Sequence, residues 1–130
     1  MQLPDEDEEF LQALGVEWEV LPDGDSAAFL IIKNFDVTGG GFSPGTTDLM
    51  LRIPAQYPLT PLDMWYCFPA IKLISTNAYA DRSDAFETYL EKSWQRFSRH
   101  LPGGSWKPGL DGLKTYFTFI FNELQGRKGQ

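Results

Sequence analysis

The residues of this 130-residue chain best suited to chemistry crowd into one stretch. Residues 94–124 read WQRFSRHLPGGSWKPGLDGLKTYFTFIFNEL and hold the only histidine, His100, with Trp94 and Trp106. Within it Ser98, Arg99 and His100 set a hydroxyl, a guanidinium and an imidazole side by side. A serine hydroxyl is a weak nucleophile at neutral pH and needs a positioned base. In an extended segment residues i and i+2 project to the same side, so the His100 imidazole is placed to take the Ser98 proton. Arg99, Arg96 or backbone N–H groups around Gly103 and Gly104 are the available partners for a developing negative charge. A plainer alternative stays open at this stage. Trp106 and His100 would then only close the top of a core, Arg99 would pair with Asp111 or Asp63, and Asp63 would cap a turn.

The element that must hold this knot follows it directly. Leu110, Leu113, Tyr116, Phe117, Ile120, Phe121 and Leu124 recur at the spacing of one buried helical face. The spacing predicts a helix over 111–124, with Asp111 in its first turn and Gly126 just past its end. Upstream, PDEDEEFLQALG predicts a short first helix ending at Gly15, its acidic run from Asp5 to Glu9 a solvated face. VEWEVL alternates as a half-buried strand, and AAFLIIKNF reads as a strand buried on both sides. The glycine-rich residues 39–47 read as a long flexible connection. DLMLRIP and DMWYCFPAIKL supply a third and a fourth strand, the latter ended or bulged by Pro69. Residues 75–91 lose periodicity and are expected to form a surface insertion with one short helix over 85–90. The expected class is α+β: an N-terminal helix, a four-stranded antiparallel meander, an irregular segment and a C-terminal helix packed on the sheet.

Composition narrows the function. The length predicts a single domain over 1–130, with a core over about 5–125 and a short flexible tail over 126–130. A formal net charge of −7 argues against nucleic acid as a partner. No run reaches the ~18 apolar residues of a membrane span, and no leader pattern opens the chain, so the expected setting is cytoplasmic with no membrane partner. The lone cysteine, Cys67, forms no internal disulfide and cannot by itself build a zinc site, so neither a metal nor a cofactor is expected.

The element order and two motifs resemble the ubiquitin-conjugating-enzyme (UBC) family. RIPAQYPLTP, at 52–61, is similar to the family's Phe-Pro, Tyr-Pro-x-x-Pro-Pro segment, with Ile53-Pro54 for Phe-Pro and Leu62 in place of the second proline. Trp106-Lys107-Pro108 resembles the Trp-x-Pro that precedes the family's crossover helix. The resemblance spans most of residues 10–124, and SRHLPGGSWKPGLDGL looks like a divergent bacterial branch found beside ubiquitin-like proteins and activating-enzyme homologues. It implies a UBC-like fold and a part in transferring the C-terminus of a ubiquitin-like protein. Two departures stand out. Ser98 occupies the spacing before Trp106 at which the family carries its catalytic cysteine. Phe68-Pro69-Ala70 stands nearest the family's His-Pro-Asn, with alanine where the asparagine would support the tetrahedral intermediate.

The resemblance therefore implies either of two functions. In one, the chain is a transferase that accepts the tail from an activating-enzyme homologue as an oxyester on Ser98, with His100 as base and Arg99 in support. In the other, it is an inactive docking module that binds a ubiquitin-like protein or the activating enzyme. A third idea, Cys67 as nucleophile, is weaker because a cysteine inside an aromatic strand behaves as a small buried hydrophobe.

Overall fold

The computed structural model of the chain describes residues 3–101 and 105–126. Helix α1, Asp5–Leu14, carries Asp5, Glu6, Asp7 and Glu8 in its first turn, where negative charge meets the helix's positive end. Gly15 closes it in the left-handed conformation at φ 71°, its N–H bonded to the Gln12 carbonyl. The chain then forms β1 (Trp18–Asp23), β2 (Ala27–Asp36), β3 (Phe42–Ser43), β4 (Thr46–Ile53), β5 (Trp65–Phe68), β6 (Lys72–Leu73), β7 (Ala85–Tyr89) and β8 (Lys92–Phe97). Helix α2, Leu113–Gln125, follows.

The antiparallel sheet expected from the sequence is present, but among the described residues it has six strands, not four, in the order β1-β2-β4-β5-β8-β7. β3 and β6 pair separately. Of the two added strands, β7 comes from the region read as an insertion with a short helix over 85–90, and β8 directly follows that region. That helix does not form: Ala85–Tyr89 is strand β7, in register with β8 from Ala85↔Arg96 to Tyr89↔Lys92. The hairpin loop is Leu90-Glu91, both left-handed at φ 53° and 64°, the geometry of a type I′ turn. Neither residue is the glycine or asparagine that announces such a turn, so the sequence carries no punctuation there.

The sheet is packed on both faces. On one, Leu30, Ile32, Leu51, Trp65 and Phe97 meet Tyr116, Phe117, Ile120 and Leu124 of α2 in a single buried cluster. Phe10 of α1 packs edge-on against Phe117, ring centres 5.4 Å apart. On the other face Phe29, Ile31, Met50, Tyr66 and Trp94 form a second cluster flanked by Met64, Phe68 and Tyr89. Double-sided packing explains why Ala28 to Ile32 is buried without alternation.

α2 starts later than its apolar spacing predicts. Leu110 lies before the helix in a turn and is 80% exposed. Asp111 also precedes the helix and accepts hydrogen bonds from the Lys107 N–H (2.7 Å) and the Thr115 hydroxyl (3.1 Å). At the other end the connection over 38–41 is ordered as a short 3-10 turn whose backbone lies on α2. A Cβ on Gly39 would stand 2.3 Å from the Gln125 carbonyl oxygen, so that position admits glycine alone. Gly126, at φ 69°, ends α2; the rest of the expected tail, 127–130, lies outside the described residues. Among the described residues no helix is long and apolar enough to cross a membrane.

Candidate active site

Strand β8 delivers the polar knot. Arg96, Ser98 and His100 line one cavity of about 360 Å³, while Phe97 joins the buried core and Arg99 reaches Glu123 of α2. Ser98 follows the last residue of β8 and is half-buried, its N–H donating to the Arg82 carbonyl at 3.1 Å. A second cavity, about 380 Å³, is bordered by Ser98, Arg99 and His100 alike, with Trp65 and Phe119 on its apolar side. The i, i+2 spacing predicts Ser98 and His100 on one side; in the structure both border these two cavities. Their side chains form no hydrogen bond with each other among the described residues; catalytic hydrogen bonds are commonly loose before substrate arrives.

Arg99 pairs with neither Asp111 nor Asp63 but with Glu123 of α2, its Nε and Nη2 donating to the two carboxylate oxygens at 2.5 and 2.6 Å. Its remaining donors go to the carbonyls of Ser98 (3.0 Å) and Asp81 (2.8 Å). The bidentate contact with Glu123 holds the guanidinium even more firmly protonated than usual. The Arg99 carbonyl accepts from the Met64 N–H at 3.1 Å and the Tyr116 hydroxyl at 2.8 Å. Backbone and side chain together therefore anchor the loop that presents Ser98.

Asp63, expected to cap a turn, has its described contact instead with the imidazole. Its carboxylate is hydrogen-bonded to Nδ1 of His100, both side chains being about half exposed. Trp106 donates from Nε1 to the Pro58 carbonyl at 2.7 Å and packs against Tyr57 with ring centres 6.3 Å apart, tying the segment after the knot to the proline corner. This is the structural role weighed for it from the sequence. Cys67 is fully buried in β5, and burial pushes its thiol up, away from the reactive thiolate. Gly103 and Gly104, the expected backbone donors, lie outside the described residues. Arg96 reaches the same cavity as Ser98 while donating to Glu87 at 2.7 Å.

Two positioning residues escape the sequence reading. Gln95, fully buried on β8, takes the Ile71 N–H on its Oε1 (2.8 Å) and donates to the carbonyls of Ile71 (3.0 Å) and Ser83 (2.8 Å), which fixes the segment carrying Arg82. Only the rarity of a glutamine between Trp94 and Arg96 in a strand hints at it. Asp7, read as part of a solvated acidic face, is 6% exposed. It accepts from the Tyr57 hydroxyl at 2.5 Å and from the Leu113 N–H at 3.2 Å. The i, i+4 spacing of Leu3, Asp7 and Leu11 is the signal that would have placed it inward. Burial and Asp7 together push the Tyr57 phenol far above its ordinary range. No cluster of three or more His, Cys, Asp or Glu side chains suited to a metal occurs among the described residues.

A further cavity, about 450 Å³, lies on the sheet face away from α2 and is lined by Asp63 and Arg96 but not Ser98. Of these cavities, Ser98 borders only those of about 380 and 360 Å³. Compared with known families, residues 3–127 match the sequence model described as prokaryotic E2 family E. Neither a comparison with curated proteins nor one with solved structures gives a match.

Proposed function

Because the chain belongs to prokaryotic E2 family E, we propose that it carries the C-terminus of a ubiquitin-like protein, received from an activating-enzyme homologue, as an oxyester on Ser98. The shared lining of two cavities by Ser98 and His100 carries this reading. The Ser98 hydroxyl attacks the acyl carbon of the tail, held as a thioester on the activating enzyme; His100 takes the hydroxyl proton, and the thiolate leaves. Arg99, engaged by Glu123, serves by fixing the Ser98 carbonyl, which leaves charge stabilisation to Arg96 and to backbone N–H groups. The burial of Cys67 supports the serine over the cysteine.

The commitment of Arg99 to Glu123 and the missing Ser98–His100 hydrogen bond favour a second reading, a docking module that binds a ubiquitin-like protein or its activating enzyme without chemistry. One experiment separates the two. The chain is incubated with activating enzyme, nucleotide and ubiquitin-like protein, and adducts are resolved on a gel with reductant or alkali. The carrier gives an adduct that survives reductant, yields to alkali and disappears in Ser98→Ala. Ser98→Cys loads too, now reductant-sensitive, because a thiolate depends far less on a base. An adduct lost in Cys67→Ala instead would move the nucleophile to β5. Tight binding with no adduct in any variant would establish the docking module.

A further inference from the structure

The Asp63–His100 contact joins segments 37 positions apart and is built from both sides. Asp63 comes just before β5, and Met64, which follows it, adopts the left-handed conformation at φ 58°, a region that side chains other than glycine's seldom occupy. That turn is held by the Met64 N–H on the Arg99 carbonyl at 3.1 Å, one residue before His100. The same carbonyl takes the Tyr116 hydroxyl of α2 at 2.8 Å. An unfavourable backbone conformation maintained by two hydrogen bonds, with a carboxylate against an imidazole at its end, is the kind of strain that clusters at working sites.

We propose that Asp63 is the positioning residue of His100. Its carboxylate accepts a hydrogen bond from the Nδ1–H and so commits the neutral ring to the Nδ1–H tautomer, leaving the Nε2 lone pair as the base available to Ser98. A carboxylate accepts and cannot donate, so the contact selects one tautomer rather than merely orienting the ring. In this reading serine, histidine and aspartate take the nucleophile, base and positioning roles of a triad, here with Asp63 preceding the other two in the chain. The proton leaving Ser98 Oγ goes to Nε2, and Asp63 stays ionised throughout. The inference rests on the carrier reading of Ser98.

The test combines a readout that needs no transfer with one that does. Imidazole 15N spectra of the free protein, recorded where the ring is neutral, should show the Nδ1–H form in the parent chain. Asp63→Ala, confirmed as folded by an unchanged amide spectrum away from the loop, should shift the ring toward the Nε2–H form. In the loading assay Asp63→Ala should slow Ser98 loading about 10- to 100-fold, part of the roughly 100- to 10,000-fold a general base supplies. It should leave loading of Ser98→Cys unchanged. An unaltered tautomer, unaltered loading, or equal slowing of the serine and cysteine forms would each overturn the role of Asp63 while the parent adduct still forms. Absence of the parent adduct would instead remove the carrier reading, and the role of Asp63 with it.

Discussion

Asp7 and Leu113, 106 positions apart, share a buried hydrogen bond in which a carboxylate of α1 caps the first N–H of α2. Gly112, the residue before α2, has no side chain to cap with, and the distant aspartate supplies the missing acceptor. Because the Tyr57 hydroxyl donates to the same carboxylate, one residue fixes α1, α2 and the proline corner together. Asp7→Ala should cost about 1–3 kcal/mol, the range for losing a cap and stranding a buried donor. Asp7→Asn, which keeps an acceptor for Leu113, should cost less. Urea unfolding of the three chains checks the order, and equal midpoints would exclude the cap.

Two phenylalanines of α2 test which face carries the fold. Phe117 is fully buried and Phe119 is 43% exposed beside the Ser98 cavity. Phe117→Ala should cost about 3–5 kcal/mol, whereas Phe119→Ala should stay within about 0.5 kcal/mol. Chemical denaturation measures both.

The stripe of α2 was readable because a helix buries every third or fourth residue, and Tyr116, Phe117, Ile120 and Leu124 keep that spacing against the sheet. Leu110 fits the same arithmetic yet points into solvent, since periodicity cannot see that Asp111 and Thr115 turn the chain one step later. That Ser98 and His100 border the same cavities fits their closeness in the chain, two residues apart. Asp63 was not readable, because its pairing with His100 depends on how the β5 and β8 ends meet in space. The β7–β8 hairpin was hidden by its turn, in which Leu90 and Glu91 take positive φ without the usual residues.

That hairpin also makes acid stability testable. The Tyr89 hydroxyl donates to Glu87, and Arg96 donates to its other oxygen at 2.7 Å; the phenol first and the guanidinium second hold the Glu87 carboxyl below its ordinary range. A carboxyl depressed in the folded state binds protons more readily when unfolded. Its contribution is therefore present above the ordinary glutamate value of about 4.3 and is lost as pH falls through the lower folded value. Thermal midpoints from pH 6 down to about pH 3 should fall more steeply for the parent than for Glu87→Gln. Parallel curves would remove Glu87 from the account.

The exposed acids of α1 are the surface for association. Asp5, Glu6 and Glu9 face solvent, while Asp7 does not, so reversing the exposed three tests docking without breaking the cap. If the activating-enzyme homologue docks there, the triple reversal should slow association and flatten its dependence on salt. Unchanged association rates across a salt series would place the partner elsewhere.

Thiol reactivity gives the last prediction. The one native cysteine, Cys67, is fully buried in β5 with its thiol pushed up by burial, so iodoacetamide should leave the folded parent chain unmodified. Ser98→Cys then places a single reactive sulfur beside His100, in a position half open to solvent. An imidazole within reach favours the thiolate, which is the form that alkylates, so the variant should react measurably near neutral pH. Adding His100→Ala should lower that rate several-fold near pH 7 and matter little near pH 10, where a free thiol of ordinary pKa about 8.5 is already ionised. The same change in denatured chains should have a smaller effect, because only the fold holds the two neighbouring side chains in one arrangement. Equal rates with and without His100 at neutral pH would mean that the imidazole does not reach position 98, and would leave Ser98 without its base.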